Sequence, residues 1–353
     1  MSRVYFIPVP DRAEPEVVSA AAVKLLKTLT EHEQVVWEKQ VPLKCHFGEK
    51  GNRSYLKPEN FSGLIDWLEQ QGTECCFIET SVLYGGERFE RDRHIALARQ
   101  HGFTRLPIVI ADGAHGEEAE NKVVNLRHFS RCAVASRLAV SPQVLVLSHF
   151  KGHMLAGFGG AIKQLGMGFA AKGGKMAMHM GVKPRVRRWK CAGCGVCLKR
   201  CNEQAIALCG GKASIDHKKC IGCGACFSIC PHKAISILSL AGIKNALFRG
   251  RLFREKLVEY AYAAHNGKRN VYLNFAIFIT KGCDCEPRPM SPVCSDIGIF
   301  ASLDPVAVDA ACYAAVEAKQ VAFRGREQLD YAKKIGLGTT DFELITLKDG
   351  KFC

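Results

Sequence analysis

The sequence has no apolar run approaching the roughly 18 residues that a bilayer-spanning helix needs. Its first residues, MSRVYFIPVPDRAEPEV, carry no apolar h-region and are broken by prolines and charges, which argues against a secretion signal. Neither the GK[ST] of a Walker loop nor a clean GxGxxG occurs, so nucleotide binding has no specific support. Acidic residues are comparatively scarce, 34 against 49 basic ones, for a formal net charge of +15. The basic residues are spread along the chain, with denser runs at RVRRWK (185–190) and FRGRLFREK (248–256). That spread disfavours nucleic acid and fits an acidic redox partner protein or a small anionic substrate. The expected setting is cytoplasmic, with no membrane partner.

What the sequence does have is cysteine, 18 in 353 residues. Without a secretion signal, so many cysteines point to metal ligands and reduced thiols rather than to disulfides. Two halves repeat at an offset of 29 positions, Cys191-x-x-Cys194-x-x-Cys197-x-x-x-Cys201 and Cys220-x-x-Cys223-x-x-Cys226-x-x-x-Cys230. This is the bacterial ferredoxin spacing, in which a tight loop gives three thiolates to one cubane and the fourth cysteine reaches the other. Cys191, Cys194, Cys197 and Cys230 then hold one [4Fe–4S] cluster, and Cys220, Cys223, Cys226 and Cys201 the second. Zinc also uses CxxC pairs, but its four-ligand sites do not call for a 3+1 interleaving twice over. Over residues 187–237 the chain resembles a two-cluster ferredoxin, with Asn202 where the first half often carries proline.

The rest alternates between short apolar runs and helical patterns. Strands are expected at 3–9, 41–47, 75–80, 106–111, 143–148, 271–280 and 297–302. Helices are expected at 15–32, 59–72, 91–102, 245–267 and 305–319, the last with Asp304 as N-cap and Pro305 at its first position. Such alternation predicts an α/β fold, a mostly parallel sheet flanked by helices. The expected division is an α/β domain begun by 1–185 and completed by 239–353, with a ferredoxin-like module at 186–238 between its parts.

In open parallel sheets ligands bind beyond the carboxyl ends of the strands. Polar residues follow five of the expected strands: Ser81, Tyr84 and Arg88; Asp112 and His115; His149, Lys151 and His153; Lys281, Cys283, Asp284 and Cys285; and Asp304. Asp304 also reads as a helix cap alone, and Asp112-Gly113 as a turn. The stretch SHFKGHMLAGFGGAIKQLGMG (148–168) stands out, with two histidines, two lysines and six glycines directly after an apolar run. The CxC of KGCDC spans too little chain for a comfortable disulfide, so Cys283 and Cys285 suggest a further metal or cofactor, with His149 or His153 as a partner. Cys45, Cys75, Cys76, Cys132, Cys209, Cys312 and Cys353 form no pattern and read as structural.

Taken whole, LYGGER (83–88), SHFKGH with AGFGGAIK (148–163), the double cysteine motif, KGCDC (281–285) and DIGIFASLDPVAVDAA (296–311) resemble the DUF362 iron–sulfur proteins. That resemblance implies a ferredoxin module within an α/β domain. A local stretch also resembles the nickel-pincer lactate racemase family: His153, then AGFGG, then Lys163 ten positions after the histidine, then His179 sixteen further on. This second resemblance implies His115 and His153 as acid–base residues, Lys163 as a cofactor anchor and His179 as a metal ligand. His149 and Lys151 crowd the same loop as additions to that pattern. The expected function is an iron–sulfur electron-transfer protein or oxidoreductase. Its site would lie near His115, His149, His153 and Lys163, with Gly157, Gly159, Gly160, Cys283 and Cys285 around the cofactor. The alternative is a racemase or epimerase of small hydroxy or oxo acids.

Overall fold

A computed structural model describes residues 1–180, 184–201, 203–220, 222, 224–236, 249–348 and 351–352. Its centre is a nine-stranded sheet. In spatial order the strands are Lys351–Phe352, Phe342–Lys348, Ser2–Pro8, Gly298–Ser302, Val271–Ala276, Leu145–His149, Gln40–Lys44, Glu74–Glu79 and Ile108–Ile110. The five strands from Val271–Ala276 to Ile108–Ile110 run parallel. Gly298–Ser302 is antiparallel to both of its neighbours.

Period-two alternation sorts each central strand onto two cores. Leu145 and Leu147 face one core, with Val271, Leu273, Phe275, Ile299 and Ala301. Val146 faces the other, with Tyr272, Ala276 and Phe300. The first core is covered by the helices Pro15–His32 and Ser62–Gln70 through Leu25, Leu29, Leu64 and Leu68. The second is covered by Ala161–Gly166, Arg249–His265, Pro305–Ala318 and Glu327–Lys334. The fold is thus α/β, a mostly parallel sheet between helical layers.

The expected helix at 15–32 is found as Pro15–His32, with proline in its first turn. The strand expected over 271–280 stops at Ala276, and Phe278 just beyond it is left-handed, at φ 43°. Residues 245–248 of the expected 245–267 helix, with Asn202, Cys223 and Cys353, lie outside the described residues. Asp304 caps Pro305–Ala318 by accepting the N–H groups of Val306 and Ala307. Because Gly298–Ser302 is antiparallel, Asp304 lies at the opposite end of the sheet from Cys283, where it also binds Ser2 and Thr339.

Residues 185–236 form a small unit with an apolar cluster of its own, including Ile206, Ala213 and Ile235. Arg185–Val186 pairs with Ile235–Ser236, so this unit is entered and left through adjacent strands. It contains a second hairpin, Ile206–Cys209 with Lys212–Ile215, and the short helices Val196–Lys199 and Ala225–Ile229. Among the described residues no helix is long and apolar enough to cross a membrane.

Candidate functional site

A cavity of about 260 Å³ opens beyond the carboxyl ends of the parallel strands. One side is the loop 281–286, which presents Cys283 and Cys285, and the hairpin Lys151–His153/Gly157–Gly159 presents His153 beside it. The helix Ala161–Gly166 supplies Lys163, and the helix Lys172–Met180 supplies Lys175 and His179. Glu79, Arg88 and Glu286 add charged groups to the lining, and His46, held neutral by burial, also faces it.

The AGFGG stretch has a structural explanation. A Cβ on Gly160 would stand 2.2 Å from Asp309 Oδ1. That approach lets Asp309 accept Ala161 N–H at 2.7 Å and Ile162 N–H at 2.9 Å, capping the helix that carries Lys163. The helix start is therefore closed by the chain's own carboxylate and offers no phosphate cradle. Asn274 Nδ2 donates to the same carboxylate at 2.6 Å. Burial pushes the Asp309 carboxyl up to about 6, against the hydrogen bonds that favour its charged form. A carboxyl that binds protons more tightly when folded loses stability as pH rises. Asp309 should therefore cost stability between about pH 4 and 6, and Asp309→Asn should flatten that part of the profile in denaturant unfolding. An unchanged slope in the variant would count against this assignment.

Lys163 Nζ donates to Cys283 Sγ at 3.4 Å, and Cys285 N–H donates to the same sulfur at 3.5 Å. The thiol of Cys285 also donates to it, which holds the Cys283 thiol well below its ordinary range in spite of burial. That same bond, together with burial, drives Cys285 the other way. The pair therefore shares one proton, kept on Cys285. Burial would discharge Lys163, but the adjacent sulfurs and Asp284 outweigh it and keep the ammonium charged. Burial, with Lys163 nearby, lowers His153 to about 4, so its ring is neutral at pH 7.

Around this group lies a set of buried charges. Glu79 accepts from Lys44 at 2.7 Å and from Arg88 at 3.4 Å. Burial opposes the Glu79 anion, but Lys44, Arg88 and Lys175 hold its carboxyl below the usual range. The Lys175 ammonium donates to two neutral acceptors, Thr80 Oγ1 and the Ser81 carbonyl. Burial lowers it to about 8, against the pull of Asp112 and Glu79. At neutral pH a mostly charged lysine with neutral hydrogen-bond partners thus lines the cavity. His46, Glu79, Lys44 and Lys175 were not foreseen from sequence. A lysine and a glutamate interrupting two apolar runs, Lys44 in VPLKCHF and Glu79 in CCFIET, were the available signal.

Of the residues singled out from sequence, Tyr84, Arg88, His153, Lys163, His179, Cys283 and Cys285 come together here. Gly159 and Gly160 line a smaller cavity alongside, shared with His149, Lys151 and Asp284. His149 is buried there, its Nε2–H donating to Ile277 O at 2.8 Å and its Nδ1 held between Lys151 and Asp284. Both ring nitrogens are engaged in holding the loop. His115 is exposed, 3.8 Å from Glu90 and away from the cavity. Gly157 packs against the Arg324 carbonyl rather than lining the cavity.

A second constellation lies in the 185–236 unit. Cys191, Cys194, Cys197 and Cys230 line one small cavity, although Cys230 is distant in sequence. The repeat is also conformational: Gly193 and Gly195 have φ of 71° and 73°, and Gly222 and Gly224 have 75° and 73°. These left-handed turns aim backbone N–H groups at sulfur, as from Gly222 to Cys220 at 3.4 Å. Cys201 accepts Ala205 N–H and Cys230 accepts Ala234 N–H, both at 3.3 Å, the same relation in each half. A Cβ on Gly224 would meet Met176 at 3.6 Å. The second cysteine loop therefore rests on the helix whose Lys175 and His179 line the larger cavity.

Among curated proteins none matches the sequence. Two solved structures are similar in fold only. One, a protein from Thermotoga maritima, shares 10% identity with a TM-score of 0.46, over 88% of this chain and 60% of that one. The other, the lactate racemase apoprotein from Thermoanaerobacterium thermosaccharolyticum, shares 11% with a TM-score of 0.39, over 78% of this chain and 50% of that one. This chain thus spans about half to three fifths of the length of these structures. A family model described as "Domain of unknown function (DUF362)" matches residues 41–314, from within the strand Gln40–Lys44 to within the helix Pro305–Ala318. The chain belongs to the DUF362 family.

Proposed function

We propose that this chain is an iron–sulfur oxidoreductase. Two [4Fe–4S] clusters would be held by Cys191, Cys194, Cys197 and Cys230 and by Cys220, Cys223, Cys226 and Cys201. The observation that carries the reading is the meeting of Cys230 with Cys191, Cys194 and Cys197 at one cavity, in a unit whose glycine turns direct N–H groups at sulfur. Such clusters supply one-electron transfer at potentials tuned by those hydrogen bonds. The helix Lys172–Met180 lies between the second cysteine loop and the 260 Å³ cavity, which makes the cavity the place of use. Lys175 and Lys163 favour a small anionic substrate there, beside the neutral ring of His153. The basic surface suits an acidic redox partner.

Anaerobically purified protein is expected to contain about eight iron and eight sulfide per chain, as two cubanes require. Protein with no iron and stoichiometric zinc would remove the reading. The racemase-like alternative draws on His153, Lys163 and His179 sharing one cavity. Intact-mass measurement on protein from its native host separates the two, because the alternative requires a covalent adduct on Lys163.

A further inference from the structure

We propose that Cys283 and Cys285 chelate a single soft divalent metal ion, with His153 as third donor, facing the 260 Å³ cavity. The donor atoms of these three residues lie within 4.8 Å of one another. In a tetrahedral site with metal–sulfur distances of about 2.3 Å, neighbouring donors stand roughly 3.8 Å apart. A contraction of about an ångström or less therefore closes the set on an ion. Thiolate and imidazole donors select zinc, iron, nickel or cobalt over magnesium or calcium.

The loop is held for this role. Cys283 N–H donates to Glu286 Oε1 at 3.2 Å, and Glu286 N–H returns to Cys283 O at 2.9 Å. Asn52 holds the Glu286 carbonyl at 3.0 Å. Between the two cysteines, Asp284 turns into the ion cluster with Lys151 and His149. Lys163 and the Cys285 N–H supply the hydrogen bonds to sulfur that a second shell gives a metal thiolate. Two thiolates neutralise a divalent ion, and Lys163, Lys175 and Arg88 outnumber Glu79 and Glu286 in the lining, so the site is left net positive. An open coordination position then favours an anionic ligand from the cavity.

His153 is the weakest of the three donors. Its Nδ1 accepts Ala156 N–H at 2.9 Å and Leu155 N–H at 3.2 Å, so the neutral ring keeps its proton on Nε2. Ligation through Nε2 must move that proton to Nδ1 and break both of these hydrogen bonds, whereas Cys283 and Cys285 have only the one thiol proton on Cys285 to release. The ranking of the variants follows from this.

The inference gives the proposed oxidoreductase its terminal centre and in that respect rests on that reading, but the metal site can be tested without it. Zinc chloride is the probe, added to anaerobically purified full-length protein and followed by equilibrium dialysis and zinc-edge X-ray absorption. Wild type is expected to take up one zinc with two sulfur neighbours. The Cys283→Ser/Cys285→Ser double variant should bind more than about a hundredfold more weakly and His153→Ala about tenfold more weakly. Equal uptake by wild type and the double variant overturns the proposal, as does a shell of four sulfurs, which would place zinc at the ferredoxin-like cysteines. If the double variant does not fold, the sulfur count in wild type still decides. Iron and sulfide contents, measured on the same samples, report on the cluster reading separately.

Discussion

Asp284→Asn is expected to lower the unfolding free energy by about 3–5 kcal/mol, the range for removing one partner of a buried ion pair. Asp284 is 1% exposed and its carboxylate meets Lys151 and the His149 ring, which are buried with it. Burial alone would raise its carboxyl, but Lys151 and His149 outweigh burial and hold it well below the ordinary range. An asparagine amide leaves the Lys151 ammonium enclosed with no anion. Against a total stability of roughly 5–15 kcal/mol such a loss is large. Removing both charges with Lys151→Met/Asp284→Leu should recover most of it, since desolvation is no longer owed by either group. Guanidinium unfolding of the three proteins under anaerobic conditions measures this. A single variant within about 1 kcal/mol of wild type would show that the cluster is not electrostatically essential.

The second large effect is expected at Gly157. A Cβ there would stand 1.9 Å from the Arg324 carbonyl oxygen and 2.4 Å from its carbon, at a φ of 87°. The contact is reciprocal, because a Cβ on Gly325 would stand 2.2 Å from the Ala156 carbonyl oxygen. Both obstacles are backbone and cannot rotate away. Gly157→Ala must therefore push the His153 hairpin off the 324–325 turn, at a cost expected to exceed the roughly 1–3 kcal/mol of overpacking. Gly85→Ala is the control, with no atom within 4 Å of its Cβ position and no left-handed φ. Gly157→Ala should fall in soluble yield and melting temperature while Gly85→Ala matches wild type. Equal melting of the two variants would refute the close-approach account.

Much of the frame was legible because its signals are local. Pro15 and the Asp304–Pro305 pair mark helix starts chemically, and near-continuous apolar runs such as 143–148 mark strands buried on both faces. Strand direction is not local. Gly298–Ser302 is as apolar as its parallel neighbours, and nothing in its residues shows that it runs against them. That hidden reversal is why Asp304 follows a strand yet stands far from Cys283. The strand Phe342–Lys348, between Lys351–Phe352 and Ser2–Pro8, reads FELITLK, where the adjacent Leu344 and Ile345 break the alternation and leave little strand signal.

The site was legible where residue types are chemically unusual, as in Cys283, Cys285, His153 and Lys163. It was not legible where ordinary charged residues become functional by burial, as with Lys175 on its helix. Glycine misleads differently. In AGFGG the glycines suggested a cradle for an external group, yet Gly160 makes room for Asp309 and Gly157 for Arg324. Only tertiary structure shows which object fills the space that a missing side chain leaves.

The pairing of Arg185–Val186 with Ile235–Ser236 has a topological consequence. Paired strands stand about 4.8 Å apart. To the nine-stranded sheet, the intervening chain is therefore equivalent to a hairpin turn, and the entropy of closing its ends is met by that one pairing. The cysteine-bearing unit is closed at its base by a two-strand stem and also touches the rest of the molecule, at Gly224 against Met176 and at Glu203, which accepts from Asn121. Its cysteines can rearrange around a guest without changing the order, direction or register of any strand in the sheet that carries the cavity.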